Sequence, residues 1–161
     1  MSNEESKTSV LGKFLEKNIK VIGGLIAILI VFVIVAVVGS SIKTKVAEEG
    51  LSQVDMVEYT FKKDADDISA EDFKARQETA LAELETLASK GGIVGVRANM
   101  LKAEILFEQK NYDASRSAWL KAAAAKKSTY TAPLCYYNAA ICSENLNDLE
   151  DAISCYEKAI S

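Results

Sequence analysis

Residues 21–42 contain no charged side chain, and residues 21–38 are almost entirely Ile, Val, Leu, Ala and Phe. A helix of about 20 residues spans the ~30 Å hydrocarbon core of a bilayer. A helix that is apolar on every face is either a membrane span or a fully buried core helix. A chain of 161 residues is too small to bury such a helix completely. The sequence therefore predicts one transmembrane helix over residues 21–42.

A cleaved signal peptide is the alternative interpretation of this run. The apolar region of a signal peptide is about 7–15 residues long and ends at a cleavage site of small residues. The run here is longer, and only residues 38–41 offer a weak candidate for cleavage.

The lysines near the predicted span indicate its orientation, because cytoplasmic flanks carry an excess of Lys and Arg. Two lysines follow it closely, Lys43 and Lys45, whereas four precede it: Lys7, Lys13, Lys17 and Lys20. We therefore expect an inner-membrane protein with a single span. Residues 1–20 would form a short cytoplasmic tail. The repeat domain after the span would lie in the periplasm or otherwise outside the cytoplasm.

The composition argues against catalysis and against nucleic-acid binding. The chain contains no His, which excludes Ser-His-Asp and Cys-His catalysis and His-ligated zinc. No nucleophile has a base at a recognisable spacing, so we expect no enzyme, no cofactor and no metal site. The net charge of −4 is unsuited to neutralising phosphates. The spacing of the three cysteines fits no zinc or redox motif, which predicts three small buried side chains.

The rest of the chain is predicted to be all-α. Apolar residues recur at helical spacing from Val46 to Phe61, which extends the helix out of the membrane. The acidic segment 62–67 interrupts it, so residues 43–68 are interpreted as a juxtamembrane helix and linker. Ser69 and Asp72 then form a capping-box-like start for the domain over residues 69–161. Its predicted later helices cover residues 94–109, 113–126, 133–146 and 149–161.

An internal repeat organises this domain. The segments EILFEQKNYDASRSAWLKAA and ICSENLNDLEDAISCYEKAI match at a constant offset of 37 residues. The matched pairs are Tyr112 with Leu149, Ser115 with Ala152, Trp119 with Tyr156, and Ala122 with Ala159. Small residues let paired helices approach, and the aromatic residue fills the gap between neighbours. We therefore expect Trp119 to be buried.

The segment YYNAAICSENLNDLEDAISCYEKAI resembles the tetratricopeptide repeat (TPR) family. The residues that fall on the family's signature positions are Tyr136, Ala140, Ala152, Tyr156 and Ala159. The preceding repeat is looser, with Asn99 and Lys102 where the family usually has apolar residues. The layout of one span followed by a helix-pair solenoid resembles the single-pass TPR proteins of the bacterial envelope, typified by the ancillary subunit of the Sec translocon.

This resemblance implies a protein-interaction module. In the family, the inner face of each pair's first helix lines a groove for peptides or partner helices. The matching positions here are Arg97, Met100, Glu104, Phe107, Glu108, Leu134, Tyr137, Ile141 and Glu144. The alternative interpretation is that these residues pack against neighbouring helices.

The predicted function is thus a membrane-anchored adaptor or scaffold that presents an acidic repeat domain to other proteins, such as translocon or envelope-complex subunits. The alternative is a structural subunit of a larger envelope assembly, in a secretion or motility apparatus. The last helix is also predicted to leave one apolar face uncovered, which further repeats, a second copy of the chain or a partner protein would cover. The residues of that predicted face are Ala152, Cys155, Tyr156 and Ala159.

Overall fold

A computed structural model describes residues 2–126 and 130–161, with side chains from Gly12 onward. Over these residues the secondary structure is helical, without strands, which confirms the all-α prediction. The helices are α1 (Ser2–Lys62), α2 (Ala70–Ala88), α3 (Gly92–Glu108), α4 (Tyr112–Ala125), α5 (Ala132–Asn145) and α6 (Leu149–Ile160), with one 3₁₀ turn over Ala65–Asp67.

The chain divides into two units, one ending at Lys45 and the other covering Val46–Ser161. The first unit contains the apolar stretch of α1, whose most apolar 18-residue window has a mean hydropathy of 3.4. By length and composition this stretch is suited to crossing a bilayer.

The second unit begins with the end of α1, as the apolar periodicity beyond Lys45 predicts. Val54, Val57 and Phe61 are buried there with residues of α2 and α3. Gly50 packs so closely on α3 that a Cβ at this position would lie 2.7 Å from Cγ2 of Val94. The helix ends at Lys62, at the start of the predicted acidic interruption. The predicted domain boundaries at residues 20, 42 and 68 stay predictions.

The core of α3 to α6 surrounds the single tryptophan. Trp119 is 5% exposed and belongs to one cluster with buried residues of α3, α5 and α6. Its predicted burial is confirmed. All three cysteines are also buried in this unit, as free thiols. Their burial was predicted because their spacing fits no zinc or redox motif.

Two departures from the family pattern are accommodated by polar contacts. Asn99 is buried, and its Nδ2 donates to the carbonyl oxygen of Gly95 at 2.8 Å. Lys102 forms an ion pair with Glu85, which joins α3 to α2. Each polar group thus has a partner where an apolar side chain would simply pack.

The turns between paired helices repeat with the offset of 37 residues. Lys110 and Asn147 both adopt the left-handed conformation, with φ of 59° and 58°. Each is followed by a helix-capping side chain: Asn111 Oδ1 accepts from the Ala114 amide, and Asp148 Oδ1 accepts from the Asp151 amide. The predicted cap at Ser69 is also present, with its Oγ accepting from the Asp72 amide at 3.1 Å.

The expected uncovered face of α6 was assigned to the wrong residues. Ala152 and Cys155 are buried, and Tyr156 and Ala159 are partly covered. The exposed apolar side chains are instead Leu149, Ile153 and Ile160. The reason is steric: α6 lies close to its neighbours, so its core-facing side carries the small residues and the larger aliphatic residues lie on an adjacent side.

Trp119→Ala is expected to destabilise the second unit by about 3–5 kcal/mol, because it removes a large buried side chain and leaves a cavity. Urea unfolding of the full chain in lipid nanodiscs, followed by circular dichroism, measures the loss. The matched control is Tyr130→Ala, which removes a fully solvated ring and should change stability by less than about 0.5 kcal/mol. Equal effects of the two variants would contradict the assigned core.

Candidate functional site

Of the predicted inner-face residues of α3, Arg97 and Glu104 interact with charged side chains at the end of α1. Arg97 forms an ion pair with Glu58, and its Nε lies 3.9 Å from Oδ1 of Asp55. Lys62 completes the group, with its Nζ 2.7 Å from Oε1 of Glu58. The end of α1 therefore contributes directly to the surface that was predicted on α3.

Glu104 is the carboxylate of this charged group whose pKa is raised. It is half-buried, and burial raises its pKa above the usual value for Glu. Lys62 and Arg97 oppose this shift, whereas the neighbouring carboxylates Glu58 and Glu108 add to it. Glu58 shows the opposite result: hydrogen bonding from Lys62, helped by the charge of Arg97, lowers its pKa. The group is thus acidic. The Glu58 carboxylate is paired with basic side chains, whereas the Glu104 carboxylate is partly removed from solvent.

The two apolar inner-face positions of α3 contribute mainly to packing. Met100 is 8% exposed and lies in the core of α3 to α6. Phe107 is half-buried, and its ring contacts that of Tyr112 edge-on at a centroid distance of 5.2 Å.

The inner-face residues of α5 are more accessible. Leu134 and Tyr137 are 49% and 50% exposed, whereas Ile141 is half-buried. The Tyr137 ring contacts that of Tyr156 on α6, with the centroids 5.6 Å apart. Desolvation, followed by the negative charge of the exposed Glu144, raises the pKa of the Tyr156 hydroxyl. This arrangement combines an accessible apolar surface with a carboxylate at its margin.

The structure therefore places the predicted residues in two groups. Arg97, Glu104 and Glu108 lie in the charged group with α1, and Leu134, Tyr137 and Glu144 lie in the apolar group with α6. Both groups present side chains suited to binding. Within residues 12–126 and 130–161, no three His, Cys, Asp or Glu side chains are arranged to hold a metal ion.

The contribution of α1 to the charged group was not predicted from the sequence. Asp55, Glu58 and Lys62 each follow directly after a buried residue of α1, namely Val54, Val57 and Phe61. They therefore form a row beside the buried row of the same helix. This signal is present in the periodicity, but residues 43–68 are predicted only as a juxtamembrane helix and acidic linker, with no part in the binding surface.

Part of the chain is similar to a known protein family. The tetratricopeptide repeat family profile matches residues 134–161. These residues are thus similar to one tetratricopeptide repeat. The family predicted from Tyr136, Ala140, Ala152, Tyr156 and Ala159 is thereby confirmed.

A relative described as a TPR repeat-containing protein from Treponema pallidum (strain Nichols) supports the same family. It is 29% identical over 89 residues, which cover 53% of this chain. The matched part spans only 37% of the length of that relative. No solved structure matches the chain. The resemblance to the ancillary subunit of the Sec translocon stays a prediction.

Glu104→Gln is expected to stabilise the chain at pH 7. A carboxyl whose pKa is higher in the folded than in the unfolded chain binds more protons when folded, so stability falls as the pH rises between the two values. The variant removes this loss, and its advantage should disappear below about pH 4, where the carboxyl is protonated in both states.

Thermal melts of the full chain in nanodiscs between pH 3.5 and pH 8 test this expectation. Glu108→Gln is the matched control, because it removes an exposed carboxylate from the same helix and should change stability by less than about 0.5 kcal/mol. A Glu104→Gln variant that is less stable than the parent at pH 7 would contradict the assignment.

Proposed function

We propose that this chain is a membrane-anchored adaptor whose repeat domain binds other proteins outside the cytoplasm. TPR repeats are protein-interaction modules, and the repeat matched here includes the accessible residues of α5. The observation that carries the proposal is the exposure of Leu134 and Tyr137 on α5, in the same group as the exposed carboxylate of Glu144. Residues buried only for packing would not leave these side chains accessible.

The chemistry of the inner face favours a particular kind of partner. Leu134 and Tyr137 would contact apolar side chains of a peptide or helix. Glu104, Glu108 and Glu144 would attract basic groups on the same segment. Residues 43–161 contain 15 basic and 20 acidic residues, which gives a formal charge of −5. The negative electrostatic potential of this part of the chain therefore also favours a basic partner.

The proposed anchor is the predicted span over residues 21–42. Its apolar side chains are exposed in the structure, and a bilayer would cover them. We assign residues 1–20 to the cytoplasmic tail, 43–68 to the juxtamembrane segment and 69–161 to the repeat domain. The excess of lysines before the span supports a cytoplasmic N-terminus and a periplasmic repeat domain.

The proposed topology predicts a defined protease pattern. Protease added to intact spheroplasts should digest residues 43–161 and spare an epitope tag placed before Met1. Permeabilised spheroplasts are the control, because the tag should then be lost as well. Protection of the repeat domain in intact spheroplasts would reverse the orientation and indicate a cytosolic adaptor.

Photo-crosslinking from the inner face tests the binding function. A photoreactive amino acid at exposed Glu108 should give adducts with other proteins in native membranes, whereas one at exposed Lys121 on α4 should give few. Several adducts at low stoichiometry would support an adaptor. A single stoichiometric adduct would support the alternative of a structural subunit, and equal labelling from both positions would contradict binding by the inner face.

A further inference from the structure

The last helix exposes an apolar stripe that the proposed inner face does not use. Leu149, Ile153 and Ile160 are 66%, 61% and 89% exposed, and Tyr156 is partly covered. Their spacing of four, three and four residues places them on one side of α6. We name these four residues the α6 stripe.

Exposed aliphatic side chains are concentrated at this place. Within the described part of Val46–Ser161, the exposed Leu, Ile and Val residues are Val46, Leu134, Leu146, Leu149, Ile153 and Ile160. Three of these six belong to the α6 stripe, and Leu146 immediately precedes α6. Apolar patches of this kind mark interaction sites in soluble domains.

Helix α5 widens the stripe into a surface. The ring contact between Tyr137 and Tyr156 joins the two helices at 5.6 Å. Leu134 lies one turn before Tyr137 on α5 and is also exposed. An apolar helix could therefore lie along α6 while contacting α5.

The charges beside the stripe select the chemistry of its partner. Glu150 and Glu157 are exposed, and each directly follows a residue of the stripe. Each residue of a helix is rotated by about 100° around the axis from the one before it. Glu150 and Glu157 therefore both lie roughly 70–90° around the helix from the centre of the stripe, on the same side. Lys158 lies about 170° from the centre of the stripe, so it does not border the stripe itself. The stripe is thus bordered by an acidic row.

This acidic row argues against a second copy of the chain as the partner. An antiparallel pair of α6 helices could match Leu149 with Ile160 and Ile153 with Tyr156. That register would place Glu150 of one copy next to Glu157 of the other, and like charges at such positions are unfavourable. A helix with Lys or Arg beside its apolar residues has the complementary pattern.

We propose that the α6 stripe is a second docking surface, which binds an amphipathic helix of a partner protein whose apolar face is flanked by basic residues. The surface does not include the charged inner-face group around Glu104. It shares Leu134 and Tyr137 of α5 with the proposed inner face, and to that extent the inference rests on the proposed function.

Three synthetic peptides test this proposal on the full chain in phosphatidylcholine nanodiscs. Each is a fluorescent 18-residue amphipathic helix with the same Leu stripe, and the flanking positions are all Lys, all Glu or all Gln. Empty nanodiscs provide the background for fluorescence anisotropy. We expect the Lys-flanked peptide to bind at least tenfold more tightly than the Glu-flanked peptide.

Variants of α6 locate the binding. Ile153→Asp should weaken the Lys-flanked peptide at least tenfold, and its exposed position should leave the fold intact, as circular dichroism can verify. The double variant Glu150→Lys and Glu157→Lys should reverse the preference between the Lys- and Glu-flanked peptides. Lys158→Glu is the matched control on the opposite side of α6 and should change affinity by less than twofold.

Three results would overturn the proposal. The first is equal binding of the Lys- and Glu-flanked peptides, and the second is binding that Ile153→Asp does not weaken. The third is self-association of the chain, seen by sedimentation and abolished by Ile153→Asp, because a second copy would then occupy the stripe. None of these results would affect crosslinking from Glu108, so the two surfaces are tested separately.

Discussion

Close packing of α3, α4 and α5 at small side chains is the interaction on which the repeat domain depends. Ser115 of α4 is fully buried, and its Oγ donates to the carbonyl oxygen of Ala103 on α3 at 2.8 Å. Sγ of Cys142 on α5 lies 3.4 Å from the same Oγ. One small hydroxyl thus contacts three helices, and a larger residue would force them apart. Trp119 of the same helix is buried in a cluster that includes Ala103 and Cys142.

Ion pairs on the surface of this core connect the start of α4 with the start of α6. Arg116 of α4 reaches Asp113 in its own first turn and both Asp148 and Asp151 at the start of α6. Ser143 of α5 also donates to Asp151, at 2.6 Å, and this hydrogen bond is the main reason that the pKa of Asp151 is lowered. Helix α6 is therefore held at its first turn by charge and along its length by Ala152 and Cys155. This leaves its larger aliphatic residues free of the core.

Helices, turns and the buried position of Trp119 could be predicted because each depends on local spacing or on the repeat. The exposed face of α6 could not. Periodicity shows that Ala152 and Cys155 share one side of the helix and that Leu149 and Ile153 share another, but it does not show which side the neighbouring helices cover. The predicted inner-face residues show the same limit. Met100 has the right spacing yet lies in the core, whereas Glu58 and Lys62 contribute from the segment 43–68, which was predicted as a juxtamembrane helix and linker without a binding role.

The acidic groups of the two proposed surfaces differ in burial, and this gives them different sensitivity to salt. Exposed charges are screened over a Debye length of about 8 Å at physiological ionic strength, whereas partly buried charges are screened much less. Glu150 and Glu157 are exposed, so a basic helix on α6 should gain mainly in association rate and lose that gain as salt increases. Glu104 is half-buried among other charges, so its attraction for a basic group should persist at salt concentrations that weaken the α6 stripe. One acidic domain can thus hold two basic segments with separate dependence on ionic strength.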